Sequence, residues 1–419
     1  MELLLYVKKM NEPNKNFQKK ILFIIDSLTG GGAERVVTLL ANNLDRNKYK
    51  INIYLSLGRD TAYELRDDIT IQFFCKPHLS NEPTSISKIS SLIKDILKLF
   101  LKPIAYFFTF LRSAKRLRTV ILEVKPDLII STLINSNLIT LLCLKIYKIN
   151  VPVICRIDNI DSYEIKRLPY SFIYKLFLNY LYKKNKIHFI CVSNASKEDL
   201  IKTFRLPENY ISVIYNGIDT KKINLLKNEA IDDELASILE KKDFKIITAG
   251  RLERQKNHEF LLYAVKELLA RLSVSLFILG KGSLEGFLLK KAKELGIEEN
   301  VYFLGWRSNP FALFSKCDIF VLTSLYEGHP CAVLEAMAVG LPVVSTERFA
   351  TREILLDKFG IYVPDVTPEG LAGAIYNLLV NKKRRLALSK ASLERADEFS
   401  MEKMINEYDR LIEYVLNNG

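Results

Sequence analysis

Two glutamates eight residues apart, Glu327 and Glu335, lie in the stretch SLYEGHPCAVLEAMAVGLPVVST (324–346). It reads as a strand end, a loop, a helix starting near Cys331, a stop at Gly340 and another strand. In open α/β sheets, ligands sit beyond the carboxyl ends of the strands. That rule puts Glu327 in a crevice and aims the amides of Cys331, Ala332 and Val333 at the same place, where a helix N-terminus attracts phosphate through its dipole and free donors. Glu335, read as about two turns into the helix, can accept two hydrogen bonds from a vicinal diol such as a ribose. Two carboxylates about 5–10 Å apart would also suit a glycoside hydrolase, and a glutamate pair of this spacing can simply be a solvated helix face.

A cationic set argues against the hydrolase. AGRLERQKN (249–257) leaves a buried strand with Arg251 at its carboxyl end and Lys256 in the loop beyond. Two fixed cations there can neutralise a diphosphate. Breaking a sugar–phosphate bond leaves charge on the departing oxygen, so donors already aimed at that oxygen lower the barrier. Cleaving an ordinary glycosidic bond needs no such clamp. A third reading is a binding scaffold that holds a nucleotide sugar without turning it over.

Elements must hold these groups in place. KILFIID (20–26) is a continuous apolar run that stops at SLTGGG, after which Ala33, Val36, Val37, Leu40 and Leu44 recur at helical spacing. The alternation returns at KINIYLSL, DLIISTL, VPVICRI, HFICVSN and YISVIYNG. A second series runs through FKIITAGRL, VSLFILGKG, NVYFLGW, CDIFVLTS, LPVVST and FGIYVP. Apolar runs linked by helices predict parallel sheets covered on both faces. The polar, acidic segment 216–243 reads as a linker, and Met401, Met404, Ile405, Tyr408, Ile412 and Val415 predict an amphipathic helix that could cross back to the first domain.

Jointly, GGGAER (30–35), YNGID (215–219), AGRLERQKN, LGKG (279–282), LGW (304–306) and E-x7-E (327–335) resemble the retaining GT-B glycosyltransferases of family 4. The resemblance covers most of the chain. It implies an α/β fold of two Rossmann-like αβα domains facing across a cleft. Residues 1–219 would be an acceptor-binding domain, 220–400 a nucleotide-sugar-binding domain and 401–419 the crossing helix. It further implies that Arg251 and Lys256 bind the donor diphosphate, Glu327 faces the transferred sugar and Glu335 holds the ribose. Gly280 and Gly282 would lie beside the donor, and Gly30, Gly31 and Gly32 would close over it. GGGAER is no dinucleotide fingerprint, because Arg35 stands where the third glycine belongs. Glu34 and Arg35 read either as functional or as cap and surface charges. Many relatives place a histidine where this chain reads CRIDNID (155–161), which leaves Arg156, Asp158 and Asn159 as acceptor candidates. Arg156 would contact an acceptor phosphate or sugar, or form a structural ion pair.

The reaction so implied moves a hexose or N-acetylhexosamine, with retention, from a UDP-sugar to a glycan or lipid-linked acceptor in surface polysaccharide or lipopolysaccharide synthesis. No DxD pattern calls for a metal, and neither His258 nor His329 has ligand spacing, so no cofactor is expected.

Composition bounds the rest. At 419 residues, 49% hydrophobic and 26% charged, the chain can build two cores. Six scattered cysteines without CxxC spacing, and a start (MELLLYVKKMNEPNKN) lacking a signal-peptide core, predict a cytoplasmic protein. The uncharged run Leu128 to Leu144 is polar-interrupted and too short for a span. Residues 1–219 hold 33 Lys and Arg against 20 Asp and Glu, whereas residues 220–419 hold 28 of each, so the excess charge is N-terminal. With no nucleic-acid-binding motif beside it, that excess points instead to an anionic membrane surface or a phosphorylated lipid. Apolar residues at 86, 89, 93, 96, 97, 100, 104, 107, 108 and 111 form a helical stripe flanked by Lys88, Lys94, Lys98 and Lys102, and Pro103 is expected to break or kink it. That segment and LPYSFIYKLFLNYLYKKNK (168–186) read as a peripheral attachment to the inner leaflet, or as core helices with a solvated basic side.

Overall fold

The computed structural model describes residues 18–58, 61–73, 91–168, 170–183, 187–240, 244–347 and 349–418, with the backbone alone for 91–107 and 234. The expectations about the first sixteen residues, Cys75, Ile86, Lys88 and Ile89 fall outside them.

The first sheet is built from β1 (Lys19–Ile25), β2 (Tyr49–Leu55), β3 (Thr70–Phe73), β4 (Leu128–Thr132), β5 (Val153–Ile157), β6 (Ile187–Cys191) and β7 (Ile211–Val213). Its order is β3-β2-β1-β4-β5-β6-β7, and every pair is parallel. Parallel pairing needs cover on both faces, and β1 shows why its sequence is continuously apolar. Ile21, Phe23 and Ile25 enter one core, with Val36, Val37 and Leu40 of the Gly32–Asn43 helix. Leu22 and Ile24 enter the other, with Ala114, Leu117 and Leu142.

The second sheet has β8 (Phe244–Ala249), β9 (Val274–Leu279), β10 (Val301–Gly305), β11 (Ile319–Leu322), β12 (Val343–Ser345) and β13 (Ile361–Tyr362), in the order β10-β9-β8-β11-β12-β13, again all parallel. Strand order reverses beside β1 in one sheet and beside β8 in the other. Those are the points where helices diverge to opposite faces and leave a crevice.

The segment 216–243 is more ordered than a linker, since it folds helices Thr220–Leu226 and Asp233–Leu239 whose Ile223 and Leu235 join the second core. The chain passes between the sheets at two adjacent places, joined by Ile218 N donating to Phe399 O and Met401 N to Ile218 O, each at 2.9 Å. The final helix, Met401–Asn418, then lies on the first domain, with Met404, Tyr408, Leu411, Ile412 and Val415 in the core that holds Ile21 and Phe23.

Two local features differ from the sequence reading: a break expected at Pro103 and a strand that went unread. The helix Ser91–Val124 runs through Pro103 without a break. A proline removes one rung of the helical ladder, but Ala114, Leu117 and Ile121 anchor the far half in the core. Edge strand β3, half-exposed and four residues long, shows the alternation Ile69, Ile71, Phe73 rather than the continuous apolar run of the central strands. The uncharged stretch from Leu128 divides into β4 and the helix Ile134–Tyr147, and among the described residues no helix is long and apolar enough to cross a membrane.

Candidate active site

At the carboxyl edge of the second sheet, the loop after β8 and the loop after β11 lock together. Gln255, 3% exposed, donates from Nε2 to Tyr326 O at 3.0 Å, and Leu325 N donates to Gln255 O at 2.8 Å. This frame sets Lys256 Nζ 2.5 Å from Glu327 Oε1, with side chains 16% and 8% exposed. Arg251 stands exposed at the end of the same loop. Gly280, expected beside the donor, seats this loop. Its φ is +136°, its amide donates to Gly305 O, and a Cβ there would lie 1.9 Å from Gly250 O. A Cβ on Gly282 would meet Leu252 O at 2.4 Å, so these glycines let two backbones touch.

The helix Cys331–Ala338 starts where the sequence places it, with Pro330 as N-cap. Of the three amides expected to point at phosphate, Val333 N already donates to Pro330 O at 3.1 Å. Those of Cys331 and Ala332 have no partner among the described residues. Glu335 is the fifth helical residue, one turn in rather than two, since it stands four residues after Cys331 and a turn takes about 3.6.

The facing wall comes from the first domain. Glu34 is a cap: its carboxylate accepts from the amides of Gly30 and Gly31 and from Ser27 Oγ, so Gly31 N is unavailable to a ligand as the loop stands. Arg35 crosses the cleft and ion-pairs with Glu335 Oε1, its guanidinium 5.5 Å from the Tyr63 ring centroid. Gly32 O lies 3.9 Å from Cys331 Sγ, and Trp306 covers Gly30.

The acceptor candidates fare differently. Arg156 is 1% exposed, ion-paired with Asp158 and bonded through Nη2 to Asn216 Oδ1 at 2.6 Å. It is thus the structural ion pair and not a contact for acceptor, because Asn216 and the C-terminal helix bury it. Asp158 faces the second domain with its carbonyl, which a Cβ on Gly328 would approach to 2.0 Å. Asn159 Nδ2 donates to Glu164 Oε1 at 2.8 Å.

Several groups at the cleft escaped sequence reasoning. Glu347 is fully buried, its carboxylate accepting from Phe349 N at 2.7 Å and Thr351 N at 2.8 Å, and burial pushes its pKa up to about 7. His329 accepts from Asn216 N at 3.2 Å, and burial, helped by Arg395 and Arg156, lowers its pKa to about 3. Asp26 holds Ser136 Oγ at 2.7 Å and Ser56 Oγ at 3.0 Å, and burial raises its pKa against those hydroxyls. Asp26 carries a signal as the polar residue just after β1 at a switch point, and His329 as part of the stretch that holds Glu327.

The chain matches two family models: "Glycosyltransferase Family 4" over residues 30–222 and "Glycosyl transferases group 1" over residues 231–395. It is 31% identical over 349 residues to an uncharacterised glycosyltransferase of Methanocaldococcus jannaschii, covering 74% of this chain and 85% of the relative. It is 29% identical over 389 residues to a Campylobacter jejuni N-acetylgalactosamine-N,N'-diacetylbacillosaminyl-diphospho-undecaprenol 4-alpha-N-acetylgalactosaminyltransferase, covering 92% and 97% of the two chains. Among solved structures, Anabaena HepE in complex with UDP-glucose superposes with a TM-score of 0.72 at 19% identity, over 94% of this chain and 99% of that one.

Proposed function

The chain belongs to glycosyltransferase family 4 and is a glycosyltransferase, and from that premise we propose that it moves a hexose or N-acetylhexosamine from a UDP-sugar to a lipid-linked glycan, retaining the anomeric configuration, in surface polysaccharide or lipopolysaccharide synthesis. One observation carries the reading. Arg251, the Lys256–Glu327 pair, the free amides of Cys331 and Ala332, and Glu335 converge at the carboxyl edge of the second sheet, facing the first domain. The Campylobacter relative, whose name specifies a diphospho-undecaprenol-linked acceptor, supports the acceptor class, and the UDP-glucose complex of HepE supports the donor class.

In this reading Glu335 takes the ribose hydroxyls through its second carboxylate oxygen, while the two amides, Arg251 and Lys256 take the diphosphate. Glu327, held by Lys256, faces the sugar. The acceptor hydroxyl attacks the anomeric carbon on the face from which the diphosphate leaves, and its proton passes to the departing phosphate oxygen. Charge grows on that oxygen as the bond breaks, so prepaid cations lower the barrier more than they tighten the ground state. Closure of the first domain, through Gly30, Gly31 and Gly32, excludes water. A hydrolase would set its two carboxylates against each other across a glycosidic bond, whereas here each is committed to a cation.

Radiolabelled UDP-sugars incubated with the protein and a membrane lipid extract test the reading. Transfer to lipid is expected, and tight donor binding with no transfer to any extract would sink it in favour of a scaffold. For inner-leaflet attachment, wild type should float with anionic liposomes and a variant charge-reversed at Lys94, Lys98, Lys115 and Arg116 should not. If neither floats, peripheral attachment is wrong.

A further inference from the structure

Beside the Glu327 loop lies a group of side chains that the steps above do not use. Arg167 Nη1, from the first domain, donates to Tyr326 Oη at 2.6 Å, and Tyr326 immediately precedes Glu327. Tyr163, one turn earlier on the helix Asp161–Arg167, has its ring 5.2 Å from that of Tyr326 and 5.4 Å from that of Phe349. This aromatic stack holds Arg167 at the cleft rim, and Lys166 Nζ sits 5.4 Å from the Tyr163 centroid. Glu253, in the Arg251 loop, is within electrostatic reach of both Arg167 and Arg251, so the rim adjoins the donor clamp. Arg167 is exposed, spends one donor on Tyr326 and lies in the field of Glu164 and Glu253, and its remaining N–H groups still suit a phosphate.

Four residues further on begins the helix Ser171–Tyr182. Its inner face, Tyr174, Leu178, Leu181 and Tyr182, is in the core. Its outer face shows Phe172, Leu176 and Tyr180, four residues apart in turn and 72%, 52% and 54% exposed. At 1.5 Å per residue this stripe runs about 12 Å, starting five residues after Arg167 in the chain. Core packing does not require it, since the opposite face already packs. A cationic fork followed along the chain by an exposed apolar track matches an amphiphile with an anionic head and a hydrocarbon tail.

We infer that Lys166 and Arg167 hold the diphosphate of a polyprenyl-diphosphate-linked acceptor, with the start of its prenyl chain along Phe172 and Leu176. The inference rests on the lipid-linked acceptor of the proposed function, and it assigns that acceptor a place. Held there, the head group lies beside the loop that carries Glu327, so the attached glycan reaches the transferred sugar from the first-domain side.

Binding to the full chain, measured by calorimetry with farnesyl diphosphate below its micellar concentration, tests this without turnover. In Lys166→Gln/Arg167→Gln the Kd for farnesyl diphosphate should rise about tenfold or more while the Kd for UDP stays put. In Phe172→Ser/Leu176→Ser, farnesyl diphosphate should weaken while inorganic pyrophosphate does not. Indifference of farnesyl diphosphate to the charge variant, or a parallel loss of UDP affinity, overturns the site. Phosphatidylglycerol vesicles whose binding depends on Arg167 as strongly as that of farnesyl diphosphate would reassign it to a general membrane contact, overturning it equally. Should these binding results hold while no UDP-sugar is turned over, the transferase reading fails and the lipid diphosphate site stands.

Discussion

Lys256 and Glu327 meet at 2.5 Å with both side chains largely out of water. Removing one partner of such a pair strands the other, at a cost of about 3–5 kcal/mol in stability. Glu327→Ala should therefore melt earlier than wild type and lose kcat by ~100–1000-fold, the scale of a lost transition-state contact. Lys256→Ala/Glu327→Ala should be hardly worse than either single variant, because the two act as one unit. Glu335→Ala should chiefly raise KM for the donor, since a ribose contact serves substrate and transition state alike. Steady-state kinetics on the four variants decide the division, and a kcat loss confined to Glu335→Ala would reverse the roles. Glu327, Glu335, Arg251 and Lys256 were legible because strand-end position and motif spacing are local properties. Arg156 was not. Whether a guanidinium faces solvent or is capped by Asn216 and a helix more than two hundred residues away is invisible in CRIDNID.

At the scale of elements, the decisive parts are the loops where the two sheets meet. A Cβ on Gly328 would come within 2.0 Å of Asp158 O, so Gly328→Ala should hold the seam apart without unfolding either domain. Small-angle scattering should show a larger radius of gyration and kinetics a lower kcat, with unchanged far-ultraviolet dichroism. An unchanged radius would contradict the packing described. His329 supplies the pH dependence of the same seam. Its pKa falls from 6.5 to about 3 on folding, so the folded state excludes a proton that the unfolded chain takes up below 6.5. The stability it contributes is whole above pH 6.5 and is lost progressively as the pH falls toward 3. Melting from pH 7.5 to 5 should show a steeper loss in wild type than in His329→Gln. Equal slopes would remove His329 as the cause.

At the scale of the molecule, the first domain is completed by the last helix. Met404, Tyr408, Leu411, Ile412 and Val415 are buried there, and each apolar side chain contributes about 1.5–3 kcal/mol by leaving water. Five such losses are comparable with the whole stability of an ordinary domain. A chain ending at residue 400 should give an aggregating or molten first domain, read by dye binding and gel filtration, although the second domain keeps its own core. A monodisperse, cooperatively melting truncation would refute this.

The sequence by itself determined that there are two parallel-stranded α/β units, where their strands end, and which residues stand at those ends, because hydrophobic period, glycine stops and strand-end chemistry are written within a few residues. Tertiary structure alone decided what those residues meet: Arg35 on Glu335, Arg156 under Asn216, Arg167 on Tyr326, and the final helix on the first sheet. The reason is physical. A local pattern says which face of an element seeks cover, whereas the group that covers it is chosen by packing among segments up to nearly four hundred residues apart.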